Sequence, residues 1–283
     1  MQKHIYLICI IYIGLFASCN PDLDYTIKGY TQKIIVEGVI ESGRYPLVYL
    51  SLNVPLSKSV DTTTILDYVI RYAKVTVSDG DKTEILTSKW DKSYFPPYVY
   101  KGTEIVGEEG KTYELKVEYG GYTLYSSTTI PAGFQVESVD MGQTDVDSLR
   151  LLAVKINLND NAKNSYRIQT KKRKDTRFIK TPVLFNDGLN LIGIQTFQIS
   201  PYPAKTDSSF AEGKFFVVGD TVDIKISAID SVSTLFFKDL NMFSLVSGNI
   251  AVTEVKPLYS NITEPGFGIW CGAAVRSKRV IIQ

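Results

Sequence analysis

Hydrophobic and polar residues alternate in short runs along most of this chain. In Ala73-Lys74-Val75-Thr76-Val77-Ser78 the apolar side chains fall on one side and the polar ones on the other; Tyr113, Leu115 and Val117 alternate with Glu114, Lys116 and Glu118, and Val222, Ile224 and Ile226 with Asp223, Lys225 and Ser227. A period of two is the mark of a half-buried β-strand. Turn residues separate the runs: Glu41-Ser42-Gly43, Asp79-Gly80, Gly120-Gly121 and Gly219-Asp220-Thr221 each stand between two strand patterns, as in hairpins. Further strands are predicted over residues 33–40, 48–52, 83–86, 122–130, 149–158, 166–172, 215–218, 266–275 and 280–282, with a loop over 62–68. One stretch, residues 233–243, has helical spacing: Phe236, Leu240 and Phe243 share a face, and Ser231 or Ser233 is placed to cap it.

This pattern predicts an all-β protein of two consecutive β-sandwich domains, the first like an immunoglobulin or transthyretin domain, with one short helix in the second. Pro131-Ala132-Gly133 marks the boundary, giving an N-terminal sandwich over residues 33–131 and a C-terminal β-rich domain over 132–283. No repeat of 20–50 residues stands out, so a solenoid or propeller is not expected.

The head of the chain breaks the alternation. Lys3 and His4 precede an almost wholly apolar run over residues 5–16, followed by Ala17, Ser18 and Cys19. This is the layout of a secretory signal peptide over residues 1–18, and the run is shorter than the roughly 20 residues of a membrane-spanning helix. The small pair before Cys19 resembles the lipobox of bacterial lipoproteins, with Phe16 where that pattern usually has Leu. The resemblance implies lipidation of Cys19, a lipidated tether over residues 19–32, and an outer-membrane anchor. Asp22 and Asp24 resemble the acidic signal for display on the outer face in Bacteroidota. The alternative is an ordinary cleaved signal with an incidental cysteine.

Composition narrows the chemistry. Net charge is +1, so no global field draws the chain to nucleic acid. His4, the one histidine, lies in the signal segment, which leaves no imidazole for Ser-His-Asp or Cys-His catalysis or for the usual zinc sites. Of three cysteines, Cys9 falls in the same segment and Cys271 sits in an apolar run, Ile269 to Ala273, as a buried small hydrophobe would. No catalytic residue, metal ligand or cofactor is assigned. Gly110-Lys111-Thr112 lacks the Gly of a phosphate loop at Ile105 and runs into a strand, and residues 157–161 lack the Gly and Glu of a calcium loop. Glu108, Glu109, Asp207, Glu212 and Asp220 are carboxylates of the right type for glycoside hydrolysis, as surface acids anywhere would be.

Two clusters are candidate binding surfaces. Trp90, Tyr94, Phe95, Tyr98 and Tyr100 form the densest aromatic patch, suited to stacking on sugar rings or docking a protein, or else to folding over the core. Arg167, Lys171, Lys172, Arg173 and Lys174 form a basic patch that would grip anionic groups, or solvate a hairpin and keep its edge from pairing.

Several short pieces together carry a family resemblance: Ile34 to Gly38 with Tyr49-Leu50-Ser51; Lys111-Thr112-Tyr113 to Val117 with Ser127 to Pro131; Asn164-Ser165-Tyr166-Arg167; and Leu258-Tyr259-Ser260-Asn261-Ile262 with Gly266-Phe267-Gly268-Ile269-Trp270-Cys271-Gly272. They resemble a family of Bacteroidota outer-membrane lipoproteins known as domain of unknown function 4249. The resemblance implies a non-enzymatic accessory or ligand-binding component beside a TonB-dependent nutrient receptor, held to the outer membrane through Cys19 and meeting a glycan or peptide ligand. The alternatives are a free-standing glycan-binding or adhesive lipoprotein and, behind it, a carboxylate-dependent glycosidase.

Overall fold

The computed structural model describes residues 31–54, 61, 63–158, 164–175, 178–180, 193–199, 215–246 and 258–283. The predicted signal segment, Cys19, Asp207 and Glu212 lie outside them. The described residues form three sheets and one α-helix. The large sheet is eight strands wide. Its order is β12 (Ile179–Lys180), β11 (Ser165–Lys172), β15 (Thr221–Ile229), β16 (Gly266–Ile281), β1 (Ile34–Glu41), β2 (Leu47–Leu52), β6 (Tyr98–Lys101) and β5 (Thr87–Trp90). A second sheet runs β4 (Thr83–Ile85), β3 (Lys74–Ser78), β7 (Thr112–Tyr119), β8 (Tyr122–Thr129). In the third, β10 (Leu149–Leu158) pairs with β13 (Gly193–Ile199), with β9 (Gln135–Gln143) and, at its first two residues, with β14 (Phe216–Val217). The all-β, sandwich-like class predicted by the alternation is the class observed.

One face of the large sheet packs on both small sheets. Val36, Ile40, Val48 and Leu50 share a buried cluster with Val75, Val77, Tyr113 and Leu124 of the second sheet and with Leu152, Val154 and Ile156 of the third. Tyr166 of β11 meets Phe197 of β13 in a stacked pair with centroids 6.5 Å apart. The expected boundary at Pro131 falls between β8 and β9, and the large sheet spans it: β1, β2, β5 and β6 come from before it, β11, β12, β15 and β16 from after.

The join is made by β16. Its first half pairs in parallel with β1, from Gly266 opposite Ile34 to Ala273 opposite Glu41. Its second half pairs antiparallel with β15, from Ala273 opposite Ile229 to Ile281 opposite Thr221. The sequence predicts two strands here because Arg276, Ser277, Lys278 and Arg279 interrupt the apolar pattern. They continue the ladder all the same. A parallel strand bonds each neighbour with alternate residues, so the first half of β16 needs donors and acceptors for its other edge. Side chains supply them. Asn261 donates from Nδ2 to Trp270 O (2.8 Å) and accepts from Trp270 N at Oδ1 (2.9 Å). Ser260 Oγ accepts from Gly268 N (3.0 Å) and Thr128 Oγ1 from Gly272 N (2.7 Å). Trp270 itself is fully buried between the sheets, and its indole N–H donates to Tyr113 O (3.0 Å). Gly268 is held at φ +134°, where a Cβ would overlap the backbone of Val36, so only glycine lets β16 lie against β1 there.

The helix, α1 (Ser231–Val246), starts two residues before the predicted stretch. Asp230 caps it rather than either serine: its Oδ1 accepts from Ser233 N (2.7 Å). Residues predicted as a loop near position 65 form a 3₁₀ helix, Thr64–Tyr68, whose start is held by Asp61 Oδ1 accepting from Thr63 N and Thr64 N, both at 2.8 Å.

Candidate functional site

The other face of the large sheet has two unlike ends. Over β15 and β16 it is covered by α1: Phe236 and Phe237 pack with Ile229, Ile269, Cys271 and Ala273. Cys271 is 2% exposed, and burial pushes its thiol up to about 11, so it is an inert core residue. Arg167 reaches under the helix with its guanidinium 3.8 Å from the centre of the Phe237 ring. Burial there lowers its pKa against the opposing pull of Glu37 and Glu41.

Away from the helix the same face opens into a cleft of about 830 Å³, within the usual range for ligand sites. Its floor is made by outward residues of four strands: Glu37, Val39 and Glu41 of β1, Leu47 and Tyr49 of β2, Gln169 and Lys171 of β11, and Lys225 of β15. These are the residues that period-two alternation turns away from the core. Gly43, Arg44 and Tyr45 from the β1–β2 turn, Ser93, Tyr94 and Phe95 from the β5–β6 loop, Lys101 and Phe178 form the rim.

The charged centre of the floor is an ion pair. Lys225 Nζ meets Glu41 Oε1, with side chains 12% and 13% exposed, and Arg44 Nε approaches the other oxygen of Glu41 at 3.5 Å. The Phe178 ring centre lies 5.8 Å from Lys225 Nζ and 5.2 Å from Lys171 Nζ. Lys171 stands 3.8 Å from Asp223, which Arg279 already grips at 2.5 and 3.1 Å. On the rim, Tyr94 sits edge-on to Tyr49 at 5.9 Å. Its loop is stiffened by Asp91, whose Oδ1 accepts from Ser93 N (2.9 Å) and Ser93 Oγ (2.6 Å); these bonds hold the Asp91 carboxyl below its usual range.

The sequence-predicted patches are divided by the same alternation. Tyr98 and Tyr100 lie two apart on β6 and share one face, where Trp90, 47% exposed, stands opposite the half-buried Tyr98 with ring centres 4.8 Å apart. Tyr100 is 1% exposed; its hydroxyl donates to Ile70 O (3.0 Å) and accepts from Ala73 N (2.9 Å), so it is a core residue closed to ligands. Of the five aromatics only Tyr94 and Phe95 reach the cleft. In the basic patch, Lys171 lines the cleft, Arg167 lies under α1, Lys172 pairs with Asp220 at 3.3 Å, and Arg173 and Lys174 are exposed in the turn after β11. Glu109 is bound by Arg276 at 2.5 and 3.2 Å, away from the cleft. Glu37, Glu41, Tyr49 and Lys225 were not marked in the sequence. Their only signal is that each is an outward position of a strand, and the strand order that gathers them is not written locally.

A second depression, of about 600 Å³, lies on the second sheet. Thr76, Ser78, Thr83, Ser127 and Thr263 line it with Tyr125, and none of the aromatic or basic residues picked out as binding candidates belongs to it. Among the described residues no group of His, Cys, Asp and Glu is placed to hold a metal ion, and no helix is long and apolar enough to cross a membrane.

Residues 18–279 match the family described as a domain of unknown function (DUF4249). No curated protein matches the chain. Among solved structures it is similar to a cytokine receptor complex, at 10% identity and a TM-score of 0.22 over 70% of this chain and 86% of that one. It is also similar to the selenomethionine-substituted chicken interferon gamma receptor alpha chain, at 10% identity and 0.20 over 68% and 86%.

Proposed function

Taking as premise that the chain belongs to the DUF4249 family, we propose that it is a non-enzymatic binding protein of the outer membrane. Lipid on Cys19 anchors it, and the large cleft meets a ligand on its way to a TonB-dependent nutrient receptor. The observation that carries the binding role is the cleft: rings at its rim, charged and amide side chains on its floor, and a size typical of ligand sites. The anchoring role rests on the apolar run over residues 5–16 and on Ala17-Ser18-Cys19. Acyl chains bury about 0.8 kcal/mol per CH₂, so more than one makes release slow.

A binding rather than catalytic role is supported by the carboxylates. Glu37 and Glu41 lie four residues apart on β1, or about 13 Å along a strand. That is wider than the roughly 5–9.5 Å between paired carboxyls in glycoside hydrolysis, and Glu41 is committed to Lys225. Two measurements test the proposal. Mass spectrometry of the membrane-extracted protein is expected to find Cys19 acylated, and the tagged protein is expected to co-purify a receptor barrel. An unmodified Cys19 in a protein free of the membrane overturns the anchor; purification without a barrel under mild extraction favours the free-standing adhesive alternative.

A further inference from the structure

We propose that the cleft binds acidic oligosaccharides, chains of sugar rings bearing carboxylates. This rests on the reading that the cleft is the protein's binding site and names what it takes. Three observations select the ligand.

The floor offers no free backbone. β1 is paired on both edges, by β2 and β16, and β15 by β11 and β16. A peptide laid across it would find no open strand to extend, and its own N–H and C=O groups would need side-chain partners at every residue. A saccharide presents hydroxyls and C–H faces instead, and both are met by side chains.

The rim offers flat apolar faces. Tyr45 is 43% exposed and Phe95 46%, the first on the β1–β2 turn and the second on the β5–β6 loop. Tyr94 is set edge-on against Tyr49. Exposed rings suit the C–H face of a pyranose, and with two χ angles each an aromatic side chain loses little freedom on contact.

The charge left over is positive. Glu41 is taken by Lys225 and Arg44. Lys101, exposed on the rim, makes no ion pair among the described residues. Lys171 is held only at 3.8 Å by an aspartate that already serves Arg279. Two ammonium groups on either side of the floor, Lys101 and the loosely held Lys171, can therefore meet carboxylates, while Glu37 and Gln169 on the floor can accept from vicinal hydroxyls.

The test immobilises the full chain in detergent and passes over it uronic-acid and sialic-acid oligosaccharides, their neutral counterparts, and an acidic peptide of equal charge. The expected result is retention of acidic saccharides at least about tenfold more tightly than neutral ones, weakening as salt is added. Lys101→Gln and Lys171→Gln are each expected to weaken binding about threefold to tenfold and Phe95→Ala by about tenfold, with melting temperatures unchanged. Retention of no acidic saccharide above its neutral counterpart overturns the proposal. So does binding that survives the Lys101→Gln/Lys171→Gln double variant, or preference for the peptide. A receptor barrel that co-purifies while the saccharides fail leaves the accessory reading standing and removes only the ligand class.

Discussion

The covered and open ends of the outer face of the large sheet are built by the same rule and come out as opposites. At both ends, outward positions of β1, β11, β15 and β16 alternate with core positions. Under α1 those positions are Ile229, Ile269, Cys271 and Ala273, and two phenylalanines seal them. Beyond the helix they are Glu37, Glu41, Gln169, Lys171 and Lys225, and nothing seals them among the described residues. Arg167 marks the frontier, a cation of the open kind drawn beneath the cover and seated on Phe237. Whether a sheet face becomes core or binding surface is decided by what packs over it, and the residues record that decision only one at a time.

The contrast can be broken hardest from below. Trp270 lies beneath both ends, fully buried and bonded to Tyr113 O; Trp270→Ala is expected to cost about 3–5 kcal/mol in urea unfolding. Phe237→Ala would turn the covered end partly into the open kind. We expect about 2–3 kcal/mol, below the figure for a fully enclosed ring, and faster alkylation of Cys271 in the folded protein. Asn261→Ala leaves an N–H and a C=O of Trp270 unpaired, at about 2 kcal/mol. Acid should loosen the wall of the open end selectively. Glu84 braces the chain just after Lys101: its carboxylate accepts from the amides of Thr103, Glu104 (3.1 Å) and Ile105 (2.9 Å). Burial raises its pKa, but these donors outweigh it and the net shift is below the ordinary 4.5. Its contribution is therefore complete above about pH 4.5 and fades as pH falls through the depressed value. Asp79, drawn from 3.8 to about 2 chiefly by Lys111, behaves alike. Protection factors at residues 103–105, which correct for the intrinsic slowing of exchange in acid, should fall as pH drops below 4.5, before those in β16 do. The smallest effect belongs to the cleft itself: Phe95→Ala should change stability by under about 0.5 kcal/mol.

The fold class was legible because most strands advertise one dry face. β3, β7, β8 and β15 alternate cleanly and each adjoins a Gly or Asp turn at one end. β5 and β9 were not, since neither has a buried residue to set a period. β13 was missed although it ends on a buried Ile199. In the cleft, Tyr94, Phe95 and Lys171 were legible as members of dense clusters, but the clusters were read as units. The pleat divides them, sending Tyr100 inward and Lys172 away from Lys171. Glu41 and Lys225 are unremarkable in their own strands and meet only because β16 pairs with both β1 and β15, bringing together the two ends of the described chain. The family-marking residues Ser260, Asn261, Gly268 and Trp270 are the reverse: conspicuous in the sequence, and structural in role, since they hold the edge of β16.

That last strand also sets an order of events. β1 is synthesised well before the β16 that pairs with it, so the large sheet cannot be completed until residues 266–281 have emerged. Until then that sheet is in two separate parts, and the core between the sheets lacks Trp270. The two parts of that sheet thereby stay independent until β16 locks them into a single piece.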